Sequence, residues 1–139
     1  MKIYGIGTDI SEISRIEEMI NRHGDAFKQM TFTENEIGYC NRKKNPAESF
    51  AARWCAKEAI LKALGTGWSN GIAWKDLEIR VLVSGQPEVA IGGKILEIAR
   101  SENLSQFNVT LSHCKTYATA TAIIIQDSFE LYDSHLIIR

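Results

Sequence analysis

The residues best suited to chemistry lie in an alanine-rich stretch, residues 49–63. Glu58 and Lys62 are four residues apart in this stretch, so on a helix their side chains would lie on neighbouring surface. The same spacing is typical of the ion pairs that stabilise exposed helices, so spacing alone leaves both roles open. Three cations, Arg53, Lys57 and Lys62, share the stretch with one acid, and the small alanines leave room for a bulky anion. The composition therefore favours an anion-binding site.

A second acid, Asp9, comes at the exit of a predicted strand, residues 2–10, in which Gly5 and Gly7 leave backbone exposed. An acid in this place is often used only to interact with the dipole of the following helix. If the fold brings Asp9 beside Glu58 and the lysines, the two carboxylates would suit Mg²⁺, a hard ion that binds oxygens, waters and substrate phosphates. Asp9 and Glu58 can therefore form a metal site only if the fold brings their carboxylates together.

The other candidates have simpler interpretations. His113 follows a polar strand segment, and a histidine there is more often bonded to backbone than catalytic. Trp54, Trp68 and Trp74 are predicted to be core or interface aromatics.

The first half of the chain predicts three helices. Ser11 is the expected cap of the first helix, and Gly24 is its expected end. Thr33 and Glu36 have the spacing of a capping box, so a short helix should begin there. The strongest helix pattern, residues 46–64, stops at a glycine-rich turn.

The second half of the chain predicts strands around one further helix. The alternating segment 77–83 and the segment 88–91 flank a turn and form a predicted hairpin. A helix is expected after the glycine pair at 92–93, followed by two more strands at 107–111 and 117–125. The class is α+β.

Composition limits the possible functions. A chain of 139 residues with 45% hydrophobic content and two prolines fits one globular domain, which we expect over 1–126, with a separate tail over 127–139. A formal net charge of -1 gives no reason to expect a nucleic-acid partner. The absence of a long apolar run or a leader-like start predicts no membrane association and a cytoplasmic location. The three widely spaced cysteines are expected to be reduced.

Several ordered motifs resemble one known family. They are GIGTDI at 5–10, FAARW at 50–54, KEA at 57–59, GTG at 65–67, GQP at 85–87 and LSH at 111–113. Together they resemble the holo-acyl-carrier-protein synthases, the small trimeric group of 4′-phosphopantetheinyl transferases, from Ile3 to about Ile125.

This resemblance implies a fold and a reaction. The fold would be an antiparallel sheet packed with a long central helix, in a homotrimer whose active sites lie at the subunit interfaces. The serine hydroxyl of apo acyl carrier protein would attack the coenzyme A phosphate that bears pantetheine and release adenosine 3′,5′-bisphosphate, as a step of fatty acid biosynthesis. Mg²⁺ is the implied cofactor, and Mn²⁺ is a second candidate.

The resemblance also implies roles for individual residues. Asp9 and Glu58 would hold the metal, and Lys62 would bind the same phosphates and complete the catalytic set. Whether Glu58 or a metal-bound hydroxide takes the serine proton stays open. Coenzyme A would also be bound by Arg53, Gly65, Pro87 and His113. The carrier protein would be bound by Arg15, Arg22 and Lys28.

Two features depart from the family. Cys114 follows His113 where a threonine or similar residue is common, and the tail after Gln126 runs past the usual end. The tail is rich in large apolar residues, so we expect it to dock on the subunit or across the trimer boundary. Two other functional classes stay open, namely a binding module that holds coenzyme A or a carrier protein without transfer, and a structural trimer in which Glu58 and Lys62 only pair.

Overall fold

Three helices follow the first strand and four more strands come later in the chain, and the structure, a computed structural model, describes residues 1–128 and 136–139. The elements follow in the order β1 (Lys2–Glu12), α1 (Ile13–Thr31), α2 (Glu34–Asn41), α3 (Pro46–Leu64), a 3₁₀ turn (Trp74–Asp76), β2 (Leu77–Val81), β3 (Pro87–Ile91), α4 (Gly93–Glu102), β4 (Leu104–His113) and β5 (Tyr117–Gln126). The fold class is α+β, as predicted. In the described part of the chain, no helix combines the length and the apolar character that crossing a membrane requires.

One antiparallel sheet carries helix α3. Its strand order is β1-β5-β4, so β5 pairs on both sides, and β2 and β3 form a separate antiparallel hairpin. The inner face of α3 is buried against this sheet through small and medium side chains, among them Ala51, Cys55, Ala56, Ala59 and Ile60. An antiparallel sheet packed with a long central helix is therefore confirmed.

Two glycines let β1 lie directly on α3. A Cβ atom added to Gly5 would lie 1.9 Å from the carbonyl oxygen of Ala63, and one added to Gly7 would lie 1.9 Å from that of Ala59. No side chain can occupy that space, so the strand backbone touches the helix. Asp9, two residues further on the same face of the strand, is consequently held close to α3.

Helix α1 begins and bends differently from the prediction. Ser11 belongs to β1, and the N-cap is Glu12, whose side chain makes no capping hydrogen bond. Strand pairing extends to Glu12, opposite Tyr117, and this pairing overrides the cap pattern. Gly24 does not end the helix, because its φ of 55° makes a kink after which helical structure resumes. The helix continues after the kink because this segment buries Phe27 in the core.

Other local predictions are confirmed. The Thr33 backbone N–H donates to Glu36 Oε1 at 2.9 Å and the Glu36 N–H to Thr33 Oγ1 at 3.3 Å, so the capping box forms. Helix α3 ends at Gly65, which adopts a left-handed φ of 79°. The hairpin also forms, although β2 ends before the fully exposed Val83. The three cysteines are free thiols.

The predicted alternation in β2 fails at one acid. Glu78 lies at a polar position of the alternating segment 77–83, yet its side chain is buried beside the capping box. Thr33 Oγ1 donates to Glu78 Oε1 at 2.6 Å, and Arg80 Nε donates to Oε2 at 2.7 Å. Because these donors satisfy the carboxylate, it can be buried without an isolated charge.

The end of the tail lies along β3. The Ile91 N–H donates to the carbonyl of Ile137 and the Arg139 N–H to the carbonyl of Ile91, both at 2.9 Å, so the two segments form a short parallel bridge. Leu136 packs against the core. The expectation of docking also covered Phe129, Leu131 and Tyr132, which lie outside the described residues.

Candidate active site

An ion pair joins strand β1 to helix α3. Lys62 Nζ lies 3.1 Å from Asp9 Oδ1 and donates to the carbonyl of Thr8 at 2.9 Å. The Asp9 side chain is 15% exposed and that of Lys62 is 54% exposed, so the pair lies at the protein surface. The Asp9 carboxylate is therefore mostly shielded from solvent, whereas the Lys62 ammonium is accessible to a ligand.

Glu58 lies one helical turn before Lys62, on the same side of α3. Its Oε1 accepts a hydrogen bond from the indole N–H of Trp68 at 3.2 Å. Within the described residues, no ion pair joins Glu58 to Lys62, because the ammonium turns to Asp9 instead. The helix-stabilising pair that the spacing allowed is therefore absent, and the fold brings Asp9 to the turn of α3 that carries Glu58 and Lys62.

Three tryptophans form a stack beside this site. The ring centroids of Trp54 and Trp74 are 4.3 Å apart, and those of Trp68 and Trp74 are 3.8 Å apart. Trp54 and Trp68 pack against the core, as predicted for structural aromatics. The contact between Trp68 and Glu58 was not predicted from the sequence, where only the position of Trp68 directly after the GTG turn could have suggested it.

Lys57 does not belong to an anion site, contrary to the sequence-based interpretation. Its side chain is completely buried, and Nζ contacts Glu36 Oε1 at 2.8 Å, the carbonyl of Thr31 at 2.8 Å and that of Trp74 at 3.1 Å. Burial lowers the pKa of Lys57, and the charge of Glu36 opposes this shift. With all three ammonium protons directed into the core, Lys57 has none for a ligand.

Arg53 and His113 line a second groove, of about 380 Å³. The Arg53 guanidinium lies 4.4 Å above the Tyr39 ring and donates to the Ser49 carbonyl at 3.3 Å. Its Nε is buried and has no hydrogen-bond partner among the described residues. His113 is half exposed, with Nδ1 3.9 Å from a carboxylate oxygen of Glu48. Lys43 and Lys44 also line the groove, so its charge suits an anion.

The remaining residues expected at coenzyme A are placed apart from each other. Gly65 caps α3 three residues after Lys62. Pro87 lies in β3, in a groove of about 340 Å³ lined also by Phe107, Leu136 and Ile137. The expected site residues of the chain therefore form three groups, one at the end of α3, one at Arg53 and one at Pro87.

The residues expected to hold a carrier protein do not form one continuous strip. Arg15 is exposed and lines a shallow groove with Tyr117. Arg22, two turns later on α1, pairs with Glu18 at 2.7 Å. Lys28 follows the kink and donates to Asn41 Oδ1 at 3.3 Å, in a different groove between α1 and α2. Arg15 and Arg22 share a helix face, whereas Lys28 lies elsewhere.

The site offers few metal ligands. The described residues contain no cluster of three or more His, Cys, Asp or Glu side chains suited to a metal ion. Asp9 and Glu58 supply carboxylate oxygens only, which fits a hard cation that keeps several waters and binds substrate phosphates. Such a cation needs no third protein ligand.

Comparisons with known proteins agree with the fold. A sequence model of the 4′-phosphopantetheinyl transferase superfamily matches residues 5–122. A holo-[acyl-carrier-protein] synthase of Chlamydia pneumoniae is 47% identical over 125 residues, which are 90% of this chain and 99% of that protein. The crystal structure of the holo-[acyl-carrier-protein] synthase of Neisseria meningitidis is similar with a TM-score of 0.84 and 28% identity, covering 90% of this chain and 100% of that one. A Bacillus anthracis holo-(acyl-carrier-protein) synthase, solved in complex with CoA (3′,5′-ADP), is similar with a TM-score of 0.75 and 31% identity, covering 90% and 98%.

Proposed function

The chain belongs to the 4′-phosphopantetheinyl transferase superfamily and transfers 4′-phosphopantetheine from coenzyme A to a serine of apo acyl carrier protein, and we propose that Asp9, Glu58 and Lys62 carry this reaction with a bound Mg²⁺. The products are holo carrier protein and adenosine 3′,5′-bisphosphate. The holo carrier is the form that fatty acid biosynthesis uses.

The Asp9–Lys62 ion pair carries the assignment of the site. It joins a carboxylate of β1 to the turn of α3 that also bears Glu58, with the strand and the helix in backbone contact at Gly5 and Gly7. An exposed ion pair between two residues of one helix forms without any contact from a second element of the fold. Two carboxylates beside an exposed ammonium have the composition of a site for a metal and phosphates.

The chemistry divides between charge stabilisation and proton transfer. Mg²⁺, when bound by Asp9 and Glu58, would offset the negative charge that develops on the transferred phosphoryl group. Lys62 supplies a compact cation to the same phosphates, since its ammonium is more than half exposed. Glu58 would accept the serine proton, or a base supplied by the metal when bound would do so, and both alternatives stay open. Mn²⁺ suits the same oxygen ligands.

The groove at Arg53 and His113 supports a second phosphate contact. Among the described residues the buried Arg53 Nε has no hydrogen-bond partner, and we propose that a phosphate oxygen of coenzyme A takes this place. Pro87 would line the adenosine part of the cleft. These residues line separate grooves of one chain, and we propose that coenzyme A lies across a subunit boundary where residues of two chains meet.

An exposed apolar face supports a homotrimer with shared sites. Ile3, Ile6 and Ile10 lie on β1 and Tyr117 lies on β5, and each is 45% or more exposed. Burying such a row of large apolar side chains favours association. Mixing an inactive Arg53→Ala variant with an inactive Glu58→Gln variant should restore activity if one site takes residues from two subunits. Mixtures that stay inactive after subunit exchange would contradict shared sites.

The carrier protein would dock on α1. Arg15 and Arg22 present cations on one exposed helix face, which suits an acidic partner. Lys28 contacts Asn41 in another groove and would assist only indirectly. We propose the cytoplasm as the place of the reaction, as the sequence predicted.

The direct test is incubation of the chain with coenzyme A, Mg²⁺ and a panel of apo carrier proteins. Release of adenosine 3′,5′-bisphosphate that requires both the carrier and the metal is the expected result. A protein that is stabilised against heat by coenzyme A but releases no product would be a binding module instead. A protein that releases no product and whose heat stability coenzyme A and Mg²⁺ leave unchanged would be neither a transferase nor a binding module.

A further inference from the structure

We propose that Trp68 is a positioning residue that orients the Glu58 carboxylate through its indole N–H and thereby sets the affinity of the site for a divalent cation. The cation part of this inference rests on the proposed function. The contact itself, 3.2 Å between Trp68 Nε1 and Glu58 Oε1, stands on the geometry alone.

A tight turn brings Trp68 back onto the helix that precedes it. Gly65 and Gly67 have φ values of 79° and 59°, in the left-handed region that glycine adopts without strain. The Ser69 hydroxyl donates to the Thr66 carbonyl at 2.7 Å and ties the turn together. The chain thus reverses after α3, and Trp68 returns to a residue that precedes it by ten positions.

The aromatic stack fixes Trp68 from its other side. Its ring lies 3.8 Å, centroid to centroid, from that of Trp74, which in turn stacks on Trp54. The Trp74 carbonyl accepts a hydrogen bond from the buried ammonium of Lys57 at 3.1 Å. The indole is therefore connected through Trp74 to the rigid core and cannot readily rotate away from Glu58.

The chemistry of indole suits this task. An indole N–H only donates, so Trp68 cannot compete with the carboxylate for a cation. It bonds one oxygen, Oε1, so the indole does not occupy Oε2. Hydrogen-bonded partners of metal-binding carboxylates fix the orientation of the ligand, and their loss typically costs about 10–100-fold in metal affinity or activity.

Trp68→Phe tests this hydrogen bond, because it removes the N–H donor with the five-membered ring and keeps one aromatic ring in the stack. Trp54→Phe is the matched control, since Trp54 stacks on Trp74 at the far end from Trp68. Both variants should melt at similar temperatures. In Trp68→Phe, we expect the Mg²⁺ concentration for half-maximal transfer and the dissociation constant for Mn²⁺, measured by its paramagnetic resonance, to rise about tenfold or more. Saturating Mg²⁺ should recover most of kcat, and Trp54→Phe should keep the wild-type metal dependence.

A nuclear magnetic resonance measurement tests the contact without activity. The full chain labelled with ¹⁵N has three tryptophans and hence three indole N–H signals, of which Trp68→Phe removes and identifies one. Glu58→Gln should shift that signal more than the other two, and so should Mg²⁺. An unmoved Trp68 signal in Glu58→Gln, or equal metal dependence in the two phenylalanine variants, overturns the proposal. If the wild-type protein transfers nothing to any carrier, the proposed function fails while the indole signal still decides the contact.

Discussion

Lys57 and Glu58 are neighbours in the sequence, yet they belong to two regions of different kind. Lys57 points into the core, where its ammonium is saturated by Glu36 and two carbonyls. Glu58 is half buried, accepts one indole hydrogen bond and faces the surface beside Lys62. Successive residues of a helix point about 100° apart, so adjacent charges can have unrelated roles. One helix therefore holds a structural charge network on one side and the charges of the proposed site on the other.

The largest effect is expected in the buried region. Lys57→Met should lower the free energy of unfolding by about 3–5 kcal/mol, because it leaves the Glu36 carboxylate buried without its cation. Urea denaturation of the full chain measures this loss. Lys94→Met removes a half-exposed lysine of α4 and should cost less than about 0.5 kcal/mol. Equal losses in the two variants would mean that the buried pair has no special structural role.

The surface region should respond in activity and not in stability. Glu58→Gln removes a proposed metal ligand and should reduce kcat by more than the roughly 10–100-fold typical for a partner of a ligand. Its unfolding curve should match the wild type, because a half-buried helix position accepts an amide. Glu97→Gln, on α4, is the control and should change neither quantity. Near-normal turnover of Glu58→Gln at saturating Mg²⁺ would remove Glu58 from the metal site.

Much of this contrast was predictable from the sequence, but not all of it. The capping box at Thr33 and Glu36 and the helix from Pro46 depend on nearby residues, so local patterns predicted them. The burial of Lys57 depends on Glu36, Thr31 and Trp74, which are distant in the chain and meet only in the fold. A sequence shows the charge of Lys57 but not its partners.

The expected site was predicted unevenly for the same reason. The family resemblance assigned Asp9 and Lys62 to the same site, and in the structure Lys62 Nζ lies 3.1 Å from Asp9 Oδ1. No local pattern reports the return of Trp68 to Glu58, because it needs both the turn at Gly65 and the stack on Trp74. Ser11 was assigned to a cap because its own residue type favours one, yet pairing of β1 with β5 decided its conformation.

The tail should affect stability without affecting the site. Truncation after Gln126 removes the bridge to Ile91 and the packing of Leu136, which together should lower the free energy of unfolding by roughly 2 kcal/mol. All proposed metal and phosphate ligands precede the cut, so the Mg²⁺ dependence should stay unchanged. Melting and sedimentation at several protein concentrations test this, with Leu136→Ala as a milder variant. Identical melting and assembly in the truncated chain would show that the tail is a loose appendage.

The smallest effect is expected on the exposed face of α1. Arg15→Glu should raise the KM for the carrier protein roughly fivefold, which corresponds to about 1 kcal/mol for an exposed charge, and should leave that for coenzyme A unchanged. The difference should shrink as salt is added. Arg100→Glu, the same charge reversal on α4, is the control. An equal change in both KM values would place Arg15 outside the carrier surface.

The intact mass of an apo acyl carrier protein tests the account most directly. We predict that the carrier gains the mass of one phosphopantetheine after incubation with this protein, coenzyme A and Mg²⁺. It should gain none when a chelator replaces the metal, and far less with Glu58→Gln. Full modification in the presence of the chelator, or by Glu58→Gln at the wild-type rate, would contradict a metal-dependent transfer carried by Asp9, Glu58 and Lys62.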